Sequence, residues 1–279
     1  MIAQPGILAD VPDYSCYLEF EARDDAAAAM AALAAIQVDE HAVIGLGQPL
    51  VQKAGKSVDG LTPFPELPAT HASAPATQLD LWVWCRGATA NEVDNRARQV
   101  VAELQSSFRL VNKVSGFKHD GGRDLTGYED GTENPTGDAA VQAAIVDGAS
   151  FVAVQKWQHD LQLFEGLSGE EQDNIFGRHK DSNEEFDAPP SAHVKRTAQE
   201  DFEPEAFVVR RSSPWRDGDD CGLMFVAFGR SFYAFEAQMK RMMGLDDDIV
   251  DGVFTYSKAL TGGYYWCPPV GADRQLLLP

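Results

Sequence analysis

The sequence predicts an α+β fold. Two ferredoxin-like β-α-β-β-α-β units, about residues 1–125 and 145–279, pack as antiparallel sheets with peripheral helices in a single domain spanning 1–279. Three observations predict it. Period-two alternation marks short strands, apolar residues at helical spacing mark the helices between them, and the same order of elements runs twice.

In the first half, SCYLEFEA (15–22) alternates Cys16, Leu18 and Phe20 with polar neighbours, the pattern of a half-buried strand. An Ala-rich helix over about 24–37 follows, then AVIGLG and LDLWVWCR (79–86) as further strands. The box Thr89-x-x-Glu92 opens the next helix, whose apolar stripe is Val93, Ala97, Val100, Val101 and Leu104. FRLVNKVSG (108–116) closes the set. In the second half SFVAVQKW (150–157) is a strand, followed by helical turns and a helix opened by Ser168-x-x-Glu171. FVVRRSS (207–213) and CGLMFVAF (221–228) are strands. FYAFEAQMKRMMG is a helix, DDIVDGVFTYS (247–257) a further helix, and YYWC a closing strand. Residues 50–77 and 178–206 read as long irregular segments, and loops of that length in a compact domain carry function or are disordered.

Composition narrows the class. A hydrophobic fraction of 44% fills a core, and a net charge of -20 argues against nucleic acid or an anionic membrane as partner. The start has no basic residue before Arg23 and no apolar stretch of a secretory signal. The longest apolar run, Ala26 to Ile36, is far shorter than a membrane span, so a soluble, cytoplasmic protein is expected. Cys16, Cys85, Cys221 and Cys267 lie far apart with no C-x-x-C, which removes the usual zinc, dithiol and covalent-haem spacings. They read as small core hydrophobes, and Trp82, Trp84, Trp157, Trp215 and Trp266 read as core as well.

None of the six histidines has H-x-x-x-H spacing, which excludes a histidine-rich zinc helix. A ligand taking one protein histidine, such as haem, stays open. His71 sits in an Ala/Pro loop, and His119 and His179 lie among charged residues. His193 stands in APPSAHVKR, where two prolines stiffen the approach. Arg210 and Arg211 are adjacent in a strand and face opposite ways, so the inward one marks a structural ion pair or a site. In GYEDGTENPTG (127–137), Asp-Gly and Asn-Pro are turn signals, and Asp130 is either a turn residue or an acid held on a rigid loop.

GFKHDGGRDLTGYEDGTENPTG, SAHVKR, VVRRSSPW and LTGGYYW follow one another in the order seen in the dye-decolorizing, DyP-type haem peroxidases, and the chain resembles that family over nearly its whole length. Its compactness is similar to the intracellular bacterial B-type branch. The resemblance implies one non-covalent haem b per chain, with His193 as the iron ligand and Asp251 behind it. It further implies Asp130 as the distal acid, Arg210 as the distal arginine and Ser212 as a distal polar residue. Leu223 and Phe225 match the apolar wall over the iron, and Arg178 a haem propionate partner. The implied reaction reduces H2O2 through a ferryl intermediate and oxidises small organic reductants, including dyes. The paired Arg210-Arg211 departs from the single arginine of the pattern, and a slip of one position would give the role to Arg211. A haem-trafficking protein is the alternative, but a carrier has no need for an acid and an arginine over the iron. A homo-oligomer is expected. The tail PPVGADRQLLLP carries no clear targeting peptide for a protein shell, so encapsulation is not the expectation.

Overall fold

A computed structural model describes residues 1–68 and 72–279, so the loop histidine His71 lies outside the described residues. The first half contributes β1 (Tyr14–Ala22), β2 (Ala42–Leu46), β3 (Leu67–Pro68), β4 (Ser73–Ala74), β5 (Leu81–Gly87) and β6 (Phe108–Phe117). The second contributes β7 (Ser150–His159), β8 (Val209–Arg210), β9 (Ser213–Asp217), β10 (Asp220–Gly229), β11 (Ser257–Ala259) and β12 (Gly263–Cys267). Among the described residues β3 and β4 pair with each other, and the other ten strands form one antiparallel sheet.

Within that sheet the first half runs β2-β5-β1-β6 and the second β12-β7-β10-β9, with β11 extending along β7 and β8 along β10. Each run has the same order, fourth strand, first, third, second, read from opposite ends. Trp266 opposite Leu46 and Gly116 opposite Trp215 join the two runs, so the strands close into a ring. Alternate residues then face inward and outward. Tyr17, Trp82, Trp84, Val152, Trp215, Phe228 and Tyr265 form one buried cluster. Their neighbours Leu18, Phe20, Val83, Cys85 and Ala153 belong to another, which the helices cover. The inner cluster also takes Ile7 of the helical turn Pro5–Leu8. Arg86 donates to the carbonyls of Gly6 and Asp10, and Arg211 to those of Leu8 and Ala9. Burial, with the charge of Arg211 beside it, lowers the Arg86 guanidinium to about 10.

The capping boxes at Thr89/Glu92 and Ser168/Glu171 both form. Helix Ala90–Leu104 buries Val93, Ala97, Val100 and Leu104, while Val101 is half-buried. The Ala-rich helix is shorter than its composition predicts, Ala26–Ala34, because Asp25 caps it by accepting from Ala28 N. Residues 247–257 correct a sequence expectation. They form no helix but a 3₁₀ turn, Gly252–Thr255, running into β11. A side chain at Gly252 would meet the Ile175 backbone at 3.1 Å, so the turn packs tightly on helix Gly169–Phe176. FVVRRSS is also not one strand. The ladder stops at Arg210 and resumes at Ser213, and the Ser212 hydroxyl accepts from Val226 N at 3.4 Å in the gap. All four cysteines are buried free thiols, and burial pushes Cys16 up to about 11 and Cys85 to about 12. Among the described residues no helix is long and apolar enough to cross a membrane.

Candidate active site

The outward face of the second half bears a cavity of about 250 Å³. Its floor is the sheet: Arg210 on β8, Leu223 and Phe225 on β10, Gln155, Trp157 and His159 on β7, and Ser257 on β11. Helix Tyr233–Met242 contributes Phe235, Gln238, Met239 and Met242. Further wall comes from the loop around Asp130, the turn that begins at His193, the segment from Phe176 to Glu185, and Val253 and Tyr256.

The irregular segment 178–206 folds into a single helical turn, His193–Arg196, followed by a 3₁₀ turn, Gln199–Asp201. Arg196 fixes that turn, bonding both oxygens of Asp247 (2.8 and 2.7 Å) and the carbonyl of Arg241. His193 lines the cavity, and its Nδ1 lies 2.7 Å from Asp251 Oδ2. The Asp251 side chain is wholly buried, and its other oxygen accepts from Val253 N at 2.9 Å. A carboxylate only accepts, so Nδ1 carries the proton and Nε2 keeps its lone pair for a ligand.

Asp130 and Arg210 meet in the same cavity, Oδ1 to Nη1 at 3.2 Å, each about a quarter exposed. The loop that presents Asp130 needs both of its glycines, since Gly127 (φ 89) and Gly131 (φ 78) lie in the left-handed region. Asn134 does more than break the chain. Its Oδ1 accepts from Arg210 N at 2.7 Å and its Nδ2 donates to Arg210 O at 3.1 Å, as a neighbouring strand would. Arg211 points the other way and is spent on the amino-terminal carbonyls, so Arg210 is the arginine of the cavity. A carboxylate-backed imidazole and an acid–arginine pair in one pocket is a set suited to peroxide chemistry.

The chain matches the family described as "Dyp-type peroxidase, C-terminal" over residues 121–272 and its N-terminal counterpart over 41–118. It belongs to the DyP-type peroxidase family. It is 33% identical over 232 residues to a dye-decolorizing peroxidase of Mycobacterium tuberculosis, covering 78% of this chain and 69% of that protein. A dye-decolorizing peroxidase of Brevibacterium linens is 33% identical over 223 residues, covering 75% and 61%. The fold is similar to DyPB from Rhodococcus jostii RHA1, with a TM-score of 0.88 and 29% identity over 95% of each chain. A variant of that protein was solved in complex with heme, and matches at 28% identity and TM-score 0.88 over 95% and 96%. A dye-decolorizing protein from V. cholerae has a TM-score of 0.88 at 26% identity over 95% and 97%.

Against that DyP-type frame, the expected residues fall into three groups. His193, Asp130, Arg210, Leu223 and Phe225 line the cavity, and Asp251 stands buried behind His193. Arg178 stands at its edge, with Nη2 on Glu133 (2.8 Å) and Glu185 (2.5 Å) and Nη1 on the carbonyl of Asn183. Ser212 is absent from the lining, because the break in the ladder turns its hydroxyl to Val226 N.

Residues to which the sequence reading gave no role also line the cavity, Asp124 among them although it lies within the GFKHDGGRDLTGYEDGTENPTG run. Asp124 Oδ1 lies 3.2 Å from His159 Nε2, and His159 Nδ1 lies 2.7 Å from Ser257 Oγ. Burial pushes the Asp124 carboxyl up, but His159 and two bonds from Thr126 outweigh it and hold the group below the usual aspartate range. Burial, with Asp124, Asp251 and Asp130 nearby, raises the Tyr256 phenol well above its ordinary value. Gln155 Oε1 accepts from Trp157 Nε1 at 3.2 Å, which assigns the amide orientation and leaves Nε2 buried without a partner among the described residues. The available signal was polar Gln155 and His159 on the strand face whose other residues, Phe151, Ala153 and Trp157, are apolar.

Proposed function

We propose that the cavity binds one non-covalent haem b per chain on His193, and that the protein reduces H2O2 at the expense of small organic reductants, dyes among them. One observation carries the reading. Asp251 occupies Nδ1 of His193 and leaves Nε2 free, in a cavity that also holds the Asp130–Arg210 pair.

The residues present fit the group. His193 would be the one imidazole to hold the iron, the floor and helix would offer Leu223, Phe225, Met239 and Met242 to an apolar ring, and no C-x-x-C-H exists for covalent attachment. Haem held there would supply the redox chemistry, accepting and passing on single electrons. Asp251 fixes the tautomer and plane of His193 and raises its basicity. The Asp130 carboxylate accepts the proton from one peroxide oxygen and returns it to the other, so the bond breaks with water as leaving group. Arg210 stabilises the negative charge that builds on the departing oxygen. Two protons and two single electrons from reductant molecules complete the conversion of H2O2 to two waters. Arg178, at the edge, is proposed to exchange an acidic partner for a haem carboxylate. Ser212 is left out of the distal set. The shared strand order of the two halves supports reading them as ferredoxin-like repeats within one domain.

The test is His193→Ala. The parent should take up haem with an axial-histidine Soret spectrum, and the variant should lose most of that haem. Full occupancy with an unchanged axial-histidine spectrum would overturn the assignment.

A further inference from the structure

The loop bearing Asp130 is tied to the sheet on both sides of the acid, and Arg123, Tyr128 and Glu129 bond it to Lys180, Asp173 and Asn183 as well. Asn134 ties its end to β8, four residues past the acid. The other tie to the sheet, six residues before it, is the Asp124–His159 contact. We propose that His159, acting through Asp124, is a positioning residue for Asp130, an inference that rests on the peroxidase reading above.

The loop moves as one body because it is bonded to itself. Asp124 N donates to Tyr128 O (2.8 Å), Gly127 N to Asp124 O (2.9 Å) and Asp130 N to Gly122 O (3.3 Å). Arg123 Nη1 reaches Gly127 O at 2.7 Å, and Thr126 donates through N (3.0 Å) and Oγ1 (2.7 Å) to Asp124 Oδ2. A shift at Asp124 therefore carries Asp130 with it. His159 is the sheet's hold on that body. Its ring, 5% exposed, sits at the end of β7 between Asp124 and Ser257 of β11. The carboxylate only accepts, so Nε2 carries the proton toward Asp124, and Nδ1 accepts from the Ser257 hydroxyl. Both ring nitrogens are thus used inside the protein, which gives His159 no atom to offer a substrate and makes its role geometric. A displacement of about 1 Å at a reacting group can cost on the order of 10²-fold in rate.

The experiment is a double-mutant cycle with His159→Gln and Asp130→Asn. Haem loading is read from the Soret band and rate from stopped-flow mixing with H2O2. His159→Gln should slow the reaction at least about 10-fold with haem retained. If His159 acts through Asp130, the double variant should be no slower than Asp130→Asn alone, whereas an effect through the cavity floor that His159 also lines would add to it. Effects that multiply would overturn the proposal, as would an unchanged rate in His159→Gln. A second reading needs no cofactor. Amide hydrogen exchange in the apoprotein should quicken over 122–131 in His159→Gln and stay unchanged over 90–104, and no change over 122–131 would also overturn it. If His159→Gln does not fold, Ser257→Ala keeps the imidazole–carboxylate contact and frees only Nδ1. It should slow the parent modestly and the Asp130→Asn background not at all, and slowing on both backgrounds would overturn the proposal. Failure of the wild-type chain to bind haem would instead strike the cofactor assignment, leaving the anchor readable by exchange.

Discussion

The outward face of β1 and β5 carries Cys16, Leu18, Phe20, Leu81, Val83 and Cys85, all buried, beneath the 15-residue helix 90–104 and the helix 26–34. The corresponding face of β7 and β10 carries Gln155, Trp157, His159, Leu223 and Phe225 around a cavity. The same strand order lies under both. What differs is the cover. After β7 the chain makes only short helices, 161–165 and 169–176, and then passes into irregular backbone that returns as the single turn at His193. A site is thus made by a shorter helix, 233–242 in place of 90–104, by the irregular backbone after 176, and by polar residues where the sister half has hydrophobes.

The comparison is broken most strongly at Arg210. Arg210→Leu should lower the rate of reaction with H2O2 by about 10²–10³-fold, the scale of losing one charge-stabilising donor. Arg211→Leu should leave that rate nearly intact and cost about 1–3 kcal/mol of stability, since carbonyls 8 and 9 lose their buried donor. Stopped-flow and urea unfolding on the two variants separate the outcomes, and the reverse pattern would exchange the roles of the two arginines.

Packing sharpens it next. Leu18 is fully buried in the solid half, so Leu18→Ala should cost about 2–5 kcal/mol in urea unfolding with peroxide reactivity unchanged. Leu223 borders the hollow half and already lacks neighbours on one side, so Leu223→Ala should cost clearly less stability. Equal costs would mean that the cavity is as tightly packed as the core.

The smallest effect is a slope against pH. The Asp124 carboxyl is held below its ordinary value, near ~3.9 in an unfolded chain. Its contribution is fully present above that value and is lost as pH falls through the lower folded one. Stability measured between pH 6 and 3 should therefore decline less steeply in Asp124→Asn than in the parent. A parallel decline would show that Asp124 does not titrate with folding.

Much of this was legible because local rules carried it. Leu18 and Phe20 alternate, Thr89/Glu92 and Ser168/Glu171 cap, and Val93 to Leu104 form a stripe, each within a few residues of sequence. His193, Asp130 and Arg210 were singled out by the motifs and Asp251 by the resemblance alone, and the fold brings the four together without their roles having been read from geometry. The misses are long-range. Asp124 and His159 are 35 residues apart and His159 and Ser257 are 98, and nothing local marks any of them as partners. Asn134 looked like a break because its clamp on Arg210 spans 76 positions. The 247–257 stretch has helix-length spacing, but Asp251 is needed at His193 and Gly252 against Ile175, and both demands favour a tight turn.

The ring closes through two seams, each joined by one paired residue, Trp266 with Leu46 and Gly116 with Trp215. Within each half, by contrast, whole strands are zipped together, β1 to β6 and β7 to β10. Parting the seams therefore forfeits far fewer backbone bonds than parting β1 from β6 or β7 from β10. A chain assembling this molecule gains most of its ladder before the circle is complete, and sealing it falls to the aromatic residues that fill the lumen. The cavity lies wholly on one side of those seams, so its floor is laid down by the half that owns it, whatever the state of the circle.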